Sequence, residues 1–440
     1  MGACQSVYGA ATSGQGLTGR QVAEALKATA VHELRSHQSE QQGLSKGFGD
    51  NPPLRLEELD AKYTETRVLE IEVPNSQGEA EKVIIKEYAP EVFRFLRYLD
   101  GLDDEDFAEE WTLPKERLEL ELGDGRSMAL FLKSKSMNMM CKTIADGEVQ
   151  VLLGLLQQYT KYVSVNPNTL LMRFSTLLHI RAGTESGFVL CFDDVFAPCR
   201  TLNEKWDLKG RKPKPGKYVH FPKLLRQPHE PHPYTIDTPR EVIELSNRAS
   251  PLGAEEVLVE ARDKFKLATG KDKDLTRLFW LEKEQRCKLV QTLMQDYQFL
   301  RTAGMMDYSL LIGVTYNEAK VSRSGKHIRS MRKAYPLGSK SEVSAAEIRP
   351  KLRLQNYRSQ HEFAKGIASL YDQETYYIGI IDMLTQYTLK KKMANFLKSF
   401  LWKSETLSTV PPRTYHDRIA RYTLIVFPDV DITERPRPPR

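Results

Sequence analysis

The residues Tyr376-Tyr377-Ile378-Gly379-Ile380-Ile381 are aromatic and β-branched, predict a buried strand, and end on Asp382. A carboxylate at the mouth of an apolar strand is costly to bury unless a cation meets it. A divalent metal would serve; so would a capping N–H or a basic side chain, and this stretch alone does not choose. Downstream, Lys390, Lys391 and Lys392 lead into Met393, Phe396, Leu397, Phe400 and Leu401, an i, i+3, i+4, i+7, i+8 apolar stripe with Lys398 and Lys403 beside it. No acid falls between Asp382 and Lys403. A basic, aromatic, amphipathic segment suits the interface of an anionic membrane; a core helix with solvated lysines is the plainer reading. An acid suited to metal, a few residues before a lipid-seeking helix, points to phosphate chemistry at a bilayer surface.

Two further stretches carry chemistry. Gly123-Asp124-Gly125-Arg126-Ser127 is a glycine turn, followed by the strand-like Met139-Met140-Cys141-Lys142-Thr143-Ile144. Such a turn lays backbone N–H groups on phosphates, and Lys142 on the next strand can reach them. Gly-x-Gly is also common hairpin chemistry. Asp307, within the apolar Met305 to Val314, reads equally as a reactive acid or as one satisfied carboxylate in a core segment.

The elements that must hold these groups are legible in outline. The 440 residues, 40% hydrophobic and 28% charged, form one large domain or two lobes. No apolar run approaches the roughly 20 residues of a spanning helix, and there is no secretory signal. Cys4, Cys141, Cys191, Cys199 and Cys287 show no metal-ligand spacing and read as reduced cytosolic thiols. Met1-Gly2-Ala3-Cys4-Gln5-Ser6 fits the acceptor pattern for a myristoyl chain on Gly2, and Cys4 is placed for palmitate. Two chains anchor stably where one does not. Residues 7–52 read as a tether with one short helix around Gln21 to Leu34.

From Leu54, Val68 to Val73 alternates like a strand and pairs with Val83-Ile84-Ile85. A helix follows through Val92, Phe93, Leu96 and Arg97 to Gly101. The run Asp103 to Asp106 reads as a solvated helix start. Leu118 to Thr143 reads as one hairpin turning at Gly123–Ser127, and Glu148 to Tyr162 as a helix buried through Val149, Leu152, Leu153, Leu156 and Tyr159. Leu170 to Ile180 and Phe188 to Phe196 are strand-like. The segment 320–358 holds eleven Lys or Arg against Glu342 and Glu347, a net of +9. Each such charge near an anionic bilayer contributes about 1 kcal/mol; nucleic acid would attract it equally, and a solvated loop is the bland alternative. The absence of interleaved aromatics argues against nucleic acid.

Trp206-Asp207-Leu208-Lys209-Gly210, then Met306-Asp307-Tyr308-Ser309-Leu310-Leu311, then Ile380-Ile381-Asp382 resemble, in order, the D-L-K-G, M-D-Y-S-L-L and I-I-D signatures of the phosphatidylinositol phosphate kinases. Lys86 to Arg97, Met139 to Ile144, Asn168-Thr169-Leu170 and Thr269 to Leu275 are similar to other segments of that family, so the resemblance runs from about residue 54 to the end. It implies an α+β fold, a two-lobed kinase-like arrangement with a mainly antiparallel sheet in each lobe. The expected division is a flexible lipidated tether over 1–53, a nucleotide-binding lobe over 54–200 and a catalytic lobe over 201–440. The last holds the basic insertion 320–358 and a membrane-facing substrate loop over 383–412. The cofactors implied are ATP and Mg²⁺. Lys142 would pair with the α- and β-phosphates, with Gly123, Gly125, Arg126 and Ser127 around them. Asp307 would orient or deprotonate the attacking inositol hydroxyl, Lys209 would face the phosphates, and Asp382 would hold the metal.

The expected reaction moves the γ-phosphate of ATP to a phosphatidylinositol monophosphate. The leading substrate is phosphatidylinositol 4-phosphate, giving the 4,5-bisphosphate, at the cytoplasmic face of the plasma membrane. Ala394 falls where glutamate resembles the 4-phosphate 5-kinases and alanine the 5-phosphate 4-kinases, so a 5-phosphate 4-kinase is the alternative. The phosphate turn departs from the family's G-K-S-G-S, since Met128-Ala129 replaces its second glycine and final serine; Asp194 and Arg211 replace an asparagine and a serine. A catalytically weak or inactive phosphoinositide-binding scaffold is therefore a second alternative. Partners expected are anionic lipids and the phosphoinositide, no nucleic acid, and a homodimer at most.

Overall fold

The computed structural model describes residues 16–41 (37–41 by backbone only), 54–75, 77–122, 129–197, 199, 202–211, 269–272, 275, 277–316, 361–370, 374–387 and 410–429. Gly2, Cys4, Gly123, Gly125, Arg126, Ser127, the insertion 320–358, Lys390, Lys391, Lys392, Ala394 and the apolar stripe after them lie outside the described residues. The chain forms two compact units, Met1–Val149 with Phe174–Phe192, and Gln150–Arg173 with Asp193–Arg440.

The first unit is built on a seven-stranded sheet, in order β1-β2-β6-β7-β5-β4-β3. Its strands are β1 (Thr66–Pro74), β2 (Ala80–Tyr88), β3 (Glu121–Leu122), β4 (Leu130–Lys133), β5 (Met139–Ile144), β6 (Phe174–Ala182) and β7 (Glu185–Asp193). β1 and β2 pair antiparallel from Thr66↔Tyr88 to Pro74↔Ala80, the hairpin that the alternation of Val68 to Val73 predicts. The reading of 118–143 as one hairpin is corrected. β4 lies between β3 and β5, and the chain reverses a second time at Ser134–Asn138. That reversal has no glycine; Met137 takes the left-handed φ of 64°. Buried Glu110 stabilises it by accepting from the Ser134 and Ser136 hydroxyls, the latter at 2.6 Å.

Two other expectations change here in part. The short helix expected around Gln21 to Leu34 is present as the longer α1 (Gly19–Gln41), but it is packed into the fold, with Val22, Ala23, Ala25, Leu26 and Ala30 buried. Glu33 pairs with Arg67, which also holds Glu87, and Gln21 donates to Glu81 at 2.8 Å. Small alanines rather than large apolar residues make this face, so composition alone reads as polar linker. Gly19 sits where a Cβ would meet the Leu118 carbonyl oxygen at 1.9 Å. The second change concerns α2 (Pro90–Leu99) and α3 (Asp104–Glu110). Asp103 caps α3, as a helix start should, accepting from the Asp106 N–H at 2.7 Å. Asp104, however, is buried, and takes Arg94 Nε and Arg97 Nη2 at 2.8 Å each. Burial pushes its carboxyl up, but the two guanidiniums outweigh this and hold it below the usual carboxylate range.

α4 (Asp146–Val165) carries the chain between the units, buried through Val149, Leu152, Leu155, Leu156 and Tyr159; Leu153, expected on the apolar face, is only half-buried. The second unit is built on a five-stranded sheet in the order β11-β12-β10-β8-β9. Its strands are β8 (Glu204–Leu208), β9 (Thr269–Lys271), β10 (Ser309–Tyr316), β11 (Ile367–Ala368) and β12 (Glu374–Ile381), and all pair antiparallel except β8 with β9. The central β10 reads Ser-Leu-Leu-Ile-Gly-Val, almost continuously apolar, as a strand covered on both faces must. Helices α5 (Lys283–Thr302) and α6 (Pro412–Val426) pack together, burying Leu289, Leu293, Tyr297 and Leu300 against Tyr415, Ile419 and Val426. At the sheet end where β8 and β12 begin, buried Arg277 bridges Glu204 at 3.1 Å and Glu374 at 3.0 Å.

Candidate functional site

At the other end of that sheet, three strand ends gather the charged groups. β8 runs into Lys209, β10 follows Asp307 and Tyr308, and β12 runs into Asp382. The register, Leu208↔Leu310 and Ser309↔Ile381, puts these ends side by side. The ladder does not simply stop. Beyond Ser309↔Ile381 the two chains meet again where the Met306 N–H donates to the Thr385 carbonyl at 2.9 Å and Met305 bridges Gln386. Between these contacts Asp307 and Tyr308 face Asp382, Met383 and Leu384, a β-bulge. Bulges re-aim side chains beside active sites. Asp307 and Asp382 both take left-handed backbone, with φ of 60° and 57°. For a non-glycine residue that costs on the order of 1 kcal/mol. Asp382 is exposed, whereas the Asp307 side chain is 30% exposed.

Lys209 belongs to this end. Its Nζ donates to the Asp307 carbonyl oxygen and lies 3.4 Å from Asp307 Oδ1. The strand turn that carries it is held by Asp272, whose Oδ1 accepts from the N–H groups of Lys209 at 2.9 Å and Gly210 at 2.8 Å. Burial pushes the Asp272 carboxyl up, against the backbone N–H groups of Lys209, Gly210 and Arg211 and the nearby Arg211 charge. Gly210 takes φ 64° with α6 pressed against it; a Cβ there would meet Tyr422 Cβ at 3.0 Å. On the same helix the Arg418 guanidinium lies 4.8 Å from the Tyr415 ring centroid. Burial lowers its pKa, opposed by the Tyr415, Asp272 and Asp307 fields. Asp207 pairs with Lys271; burial raises its carboxyl, but Lys271, Ser309 and Lys209 together hold it below the usual range.

The strand bearing Asp382 is supported from outside the sheet. The Ile380 N–H donates to the Leu170 carbonyl at 2.7 Å, and the Met172 N–H to the Ile380 carbonyl at 3.0 Å. Asp296 of α5 fixes that supporting segment by accepting from the Leu170 N–H at 2.8 Å.

Lys142 belongs to the first unit. It is buried on β5 opposite Phe131, and its Nζ lies 3.9 Å from Glu148 Oε1 in the first turn of α4. Glu148 also accepts from the Ala145 N–H at 3.0 Å, so one carboxylate caps the helix and faces the lysine. Sequence reasoning named Asp307, Asp382, Lys209 and Lys142. It missed Glu148, Asp272, Tyr415 and Arg418. The Thr269 to Leu275 motif flagged the neighbourhood of Asp272, and the capping spacing Ala145-x-x-Glu148 was a weak sign for Glu148. Tyr415 and Arg418 lie over 100 residues beyond Asp307 and carried no local signal.

Among the described residues no cluster of three or more His, Cys, Asp or Glu could hold a metal by itself. Mg²⁺ would suit a site of this kind, because it takes one or two protein carboxylates and completes its shell with water and phosphate oxygens; Asp307 and Asp382, brought to one bulge, are the residues that would offer them.

A strand-borne lysine facing a helix glutamate, in one mainly antiparallel unit, and paired aspartates at a strand end in another define a two-lobed kinase-like α+β fold. The chain matches the phosphatidylinositol-4-phosphate 5-kinase family over residues 114–424, well over half its length, and it belongs to the phosphatidylinositol phosphate kinases. It is 26% identical over 372 residues to phosphatidylinositol 5-phosphate 4-kinase type-2 gamma of Xenopus tropicalis, covering 78% of this chain and 75% of that one. It is 26% identical over 373 residues to phosphatidylinositol 4-phosphate 5-kinase 5 of Arabidopsis thaliana, covering 78% and 43%. With human phosphatidylinositol 4-phosphate 5-kinase type-1 alpha it shares 25% over 356 residues, 77% and 54%. The chain thus spans about half the length of several curated relatives, and three quarters of the frog protein.

Proposed function

We propose that this protein transfers the γ-phosphate of ATP to a phosphatidylinositol monophosphate, with phosphatidylinositol 4-phosphate the leading substrate and the 4,5-bisphosphate the product. The observation that carries the reading is the bulge at which Asp307 and Asp382, both left-handed, stand beside Lys209 at one sheet end. Phosphoryl transfer asks mainly for positioning and charge neutralisation, and these groups supply both. Asp307 is the acid that would orient the inositol hydroxyl and receive its proton, while Lys209 beside it offsets negative charge. Lys142, placed by β5 and faced by Glu148, would meet the phosphates of ATP. Asp382, with Asp307 near it, would hold Mg²⁺, which supplies further neutralisation of the phosphates when bound. The exposed setting of Asp382 agrees with a ligand shared with water and nucleotide.

Acylation at Gly2 and Cys4 would set the reaction at the cytoplasmic face of a membrane. Lys390, Lys391 and Lys392 and the 320–358 insertion would add attraction to anionic lipid. Among the described residues no helix is long and apolar enough to cross a bilayer. A second reading, a phosphatidylinositol 5-phosphate 4-kinase, is favoured by Ala394 and by the likeness to the frog protein of that name.

The test is turnover of labelled ATP with magnesium on vesicles holding each monophosphate isomer in turn. Labelled bisphosphate from the 4-phosphate, abolished in Asp382→Asn, is the expected result. Preference for the 5-phosphate would select the second reading. Nucleotide binding without turnover would leave a lipid-tethered scaffold.

A further inference from the structure

We propose that Tyr415, on the C-terminal helix α6, is a positioning residue for Asp307, acting through the backbone; this rests on the reading of Asp307 as the acid that meets the substrate hydroxyl. Asp307 keeps a left-handed conformation that is costly for a residue with a Cβ and persists where its neighbours over-determine it. On one side the Met306 N–H is tied to the Thr385 carbonyl at 2.9 Å; on the other Ser309 is in register with Ile381. Between them lie two carbonyls that the bulge takes out of the ladder, those of Asp307 and Tyr308. Each is taken by a side chain: Lys209 Nζ donates to the Asp307 oxygen, and the Tyr415 hydroxyl donates to the Tyr308 oxygen.

The Tyr415 clamp is a rigid one. Its side chain is fully buried, its ring meets Tyr308 edge-on at 4.7 Å, and Tyr308 stacks in turn on Tyr297 at 5.8 Å. Burial pushes the Tyr415 hydroxyl well above its ordinary pKa, so it stays a donor at any working pH. The same helix presses on Gly210, in the turn that delivers Lys209. One helix, far along the chain, therefore bears on both donors that hold the peptide units around the reactive acid.

Removing only the hydroxyl, in Tyr415→Phe, tests this. The matched control is Tyr297→Phe, which deletes another buried hydroxyl between α5 and α6, the one 3.0 Å from Thr423 Oγ1. Turnover on vesicles should fall on the order of ten- to a hundredfold in Tyr415→Phe with KM for ATP unchanged, the size expected when a reacting group is displaced by a fraction of an ångström to an ångström. Tyr297→Phe should leave turnover unchanged. In an Asp307→Asn background, Tyr415→Phe should lower the residual rate by less than about twofold, because the group it positions is gone. Amide hydrogen exchange in the peptide covering residues 304–310 should rise about tenfold in Tyr415→Phe and not in the control. Unchanged exchange in Tyr415→Phe, or a full rate loss persisting in the Asp307→Asn background, overturns the proposal. An inactive wild type whose 304–310 exchange still depends on the Tyr415 hydroxyl would sustain the clamp and refute the kinase reading instead.

Discussion

Asp296 offers the sharpest stability experiment, because its burial and its three donors set the sign of a pH-dependent contribution. Its carboxylate is fully buried on α5 and accepts from Tyr162 Oη at 2.7 Å, Thr169 Oγ1 at 2.5 Å and the Leu170 N–H at 2.8 Å. Burial outweighs these donors and pushes its pKa from 3.8 to about 6. The folded chain therefore holds a proton that the unfolded chain has already released between those values. The stabilisation is complete below about pH 4 and is lost as pH rises through 6. Two pKa units at 1.36 kcal/mol each make it about 3 kcal/mol. Asp296→Asn removes the titration but keeps a partner for each group: its oxygen takes the Leu170 N–H, and the Tyr162 and Thr169 hydroxyls turn to accept from its amide. Urea unfolding of wild type and variant, followed by fluorescence across pH 4 to 7.5, should show the gap moving about 3 kcal/mol in favour of wild type on acidification. Parallel curves would refute the reasoning, and with it the claim that this acid is desolvated at the support of the strand bearing Asp382.

Arg277→Ala should lower the unfolding free energy of the second unit by about 3 kcal/mol, read by thermal melting, because Glu204 would stay buried, and Glu374 half-buried, without their cation. Changing Lys391 and Lys392 together to Glu should cut activity on anionic vesicles while ATP binding is retained; unchanged vesicle activity would remove the membrane role of that segment. Gly2→Ala should abolish incorporation of labelled myristate into the protein, and retained label would exclude Gly2 as the acceptor.

How much was legible in advance follows from the range of each interaction. Lys142, Asp307 and Asp382 sit in apolar or β-branched stretches whose local pattern announces a strand, whereas Lys209 was named through the resemblance of Trp206 to Gly210 to the family's D-L-K-G signature. The β1–β2 hairpin, α2, α4 and the apolar strands β10 and β12 were readable for the same reason. The misreadings were all cases where a distant partner set the outcome. Asp104 looked solvated until Arg94 and Arg97 folded onto it, and the helix expected around Gln21 to Leu34 looked like part of a tether until α3 and the first sheet covered its alanine face. The reversal at Ser134 to Asn138, which lacks glycine, is stabilised by Glu110, a residue some 24 positions earlier.

The sequence by itself determined which residues carry charge at strand ends, and so the class of chemistry, because periodicity and residue type act over a few positions. Only the tertiary structure decided that Asp307 and Asp382 face each other across a bulge and turn left-handed. The same holds for Asp272 gripping the Lys209 turn and for Tyr415 reaching back over 107 residues to the carbonyl beside the acid. Backbone strain of that kind persists only where several remote groups over-determine it, and no short window of sequence contains them together.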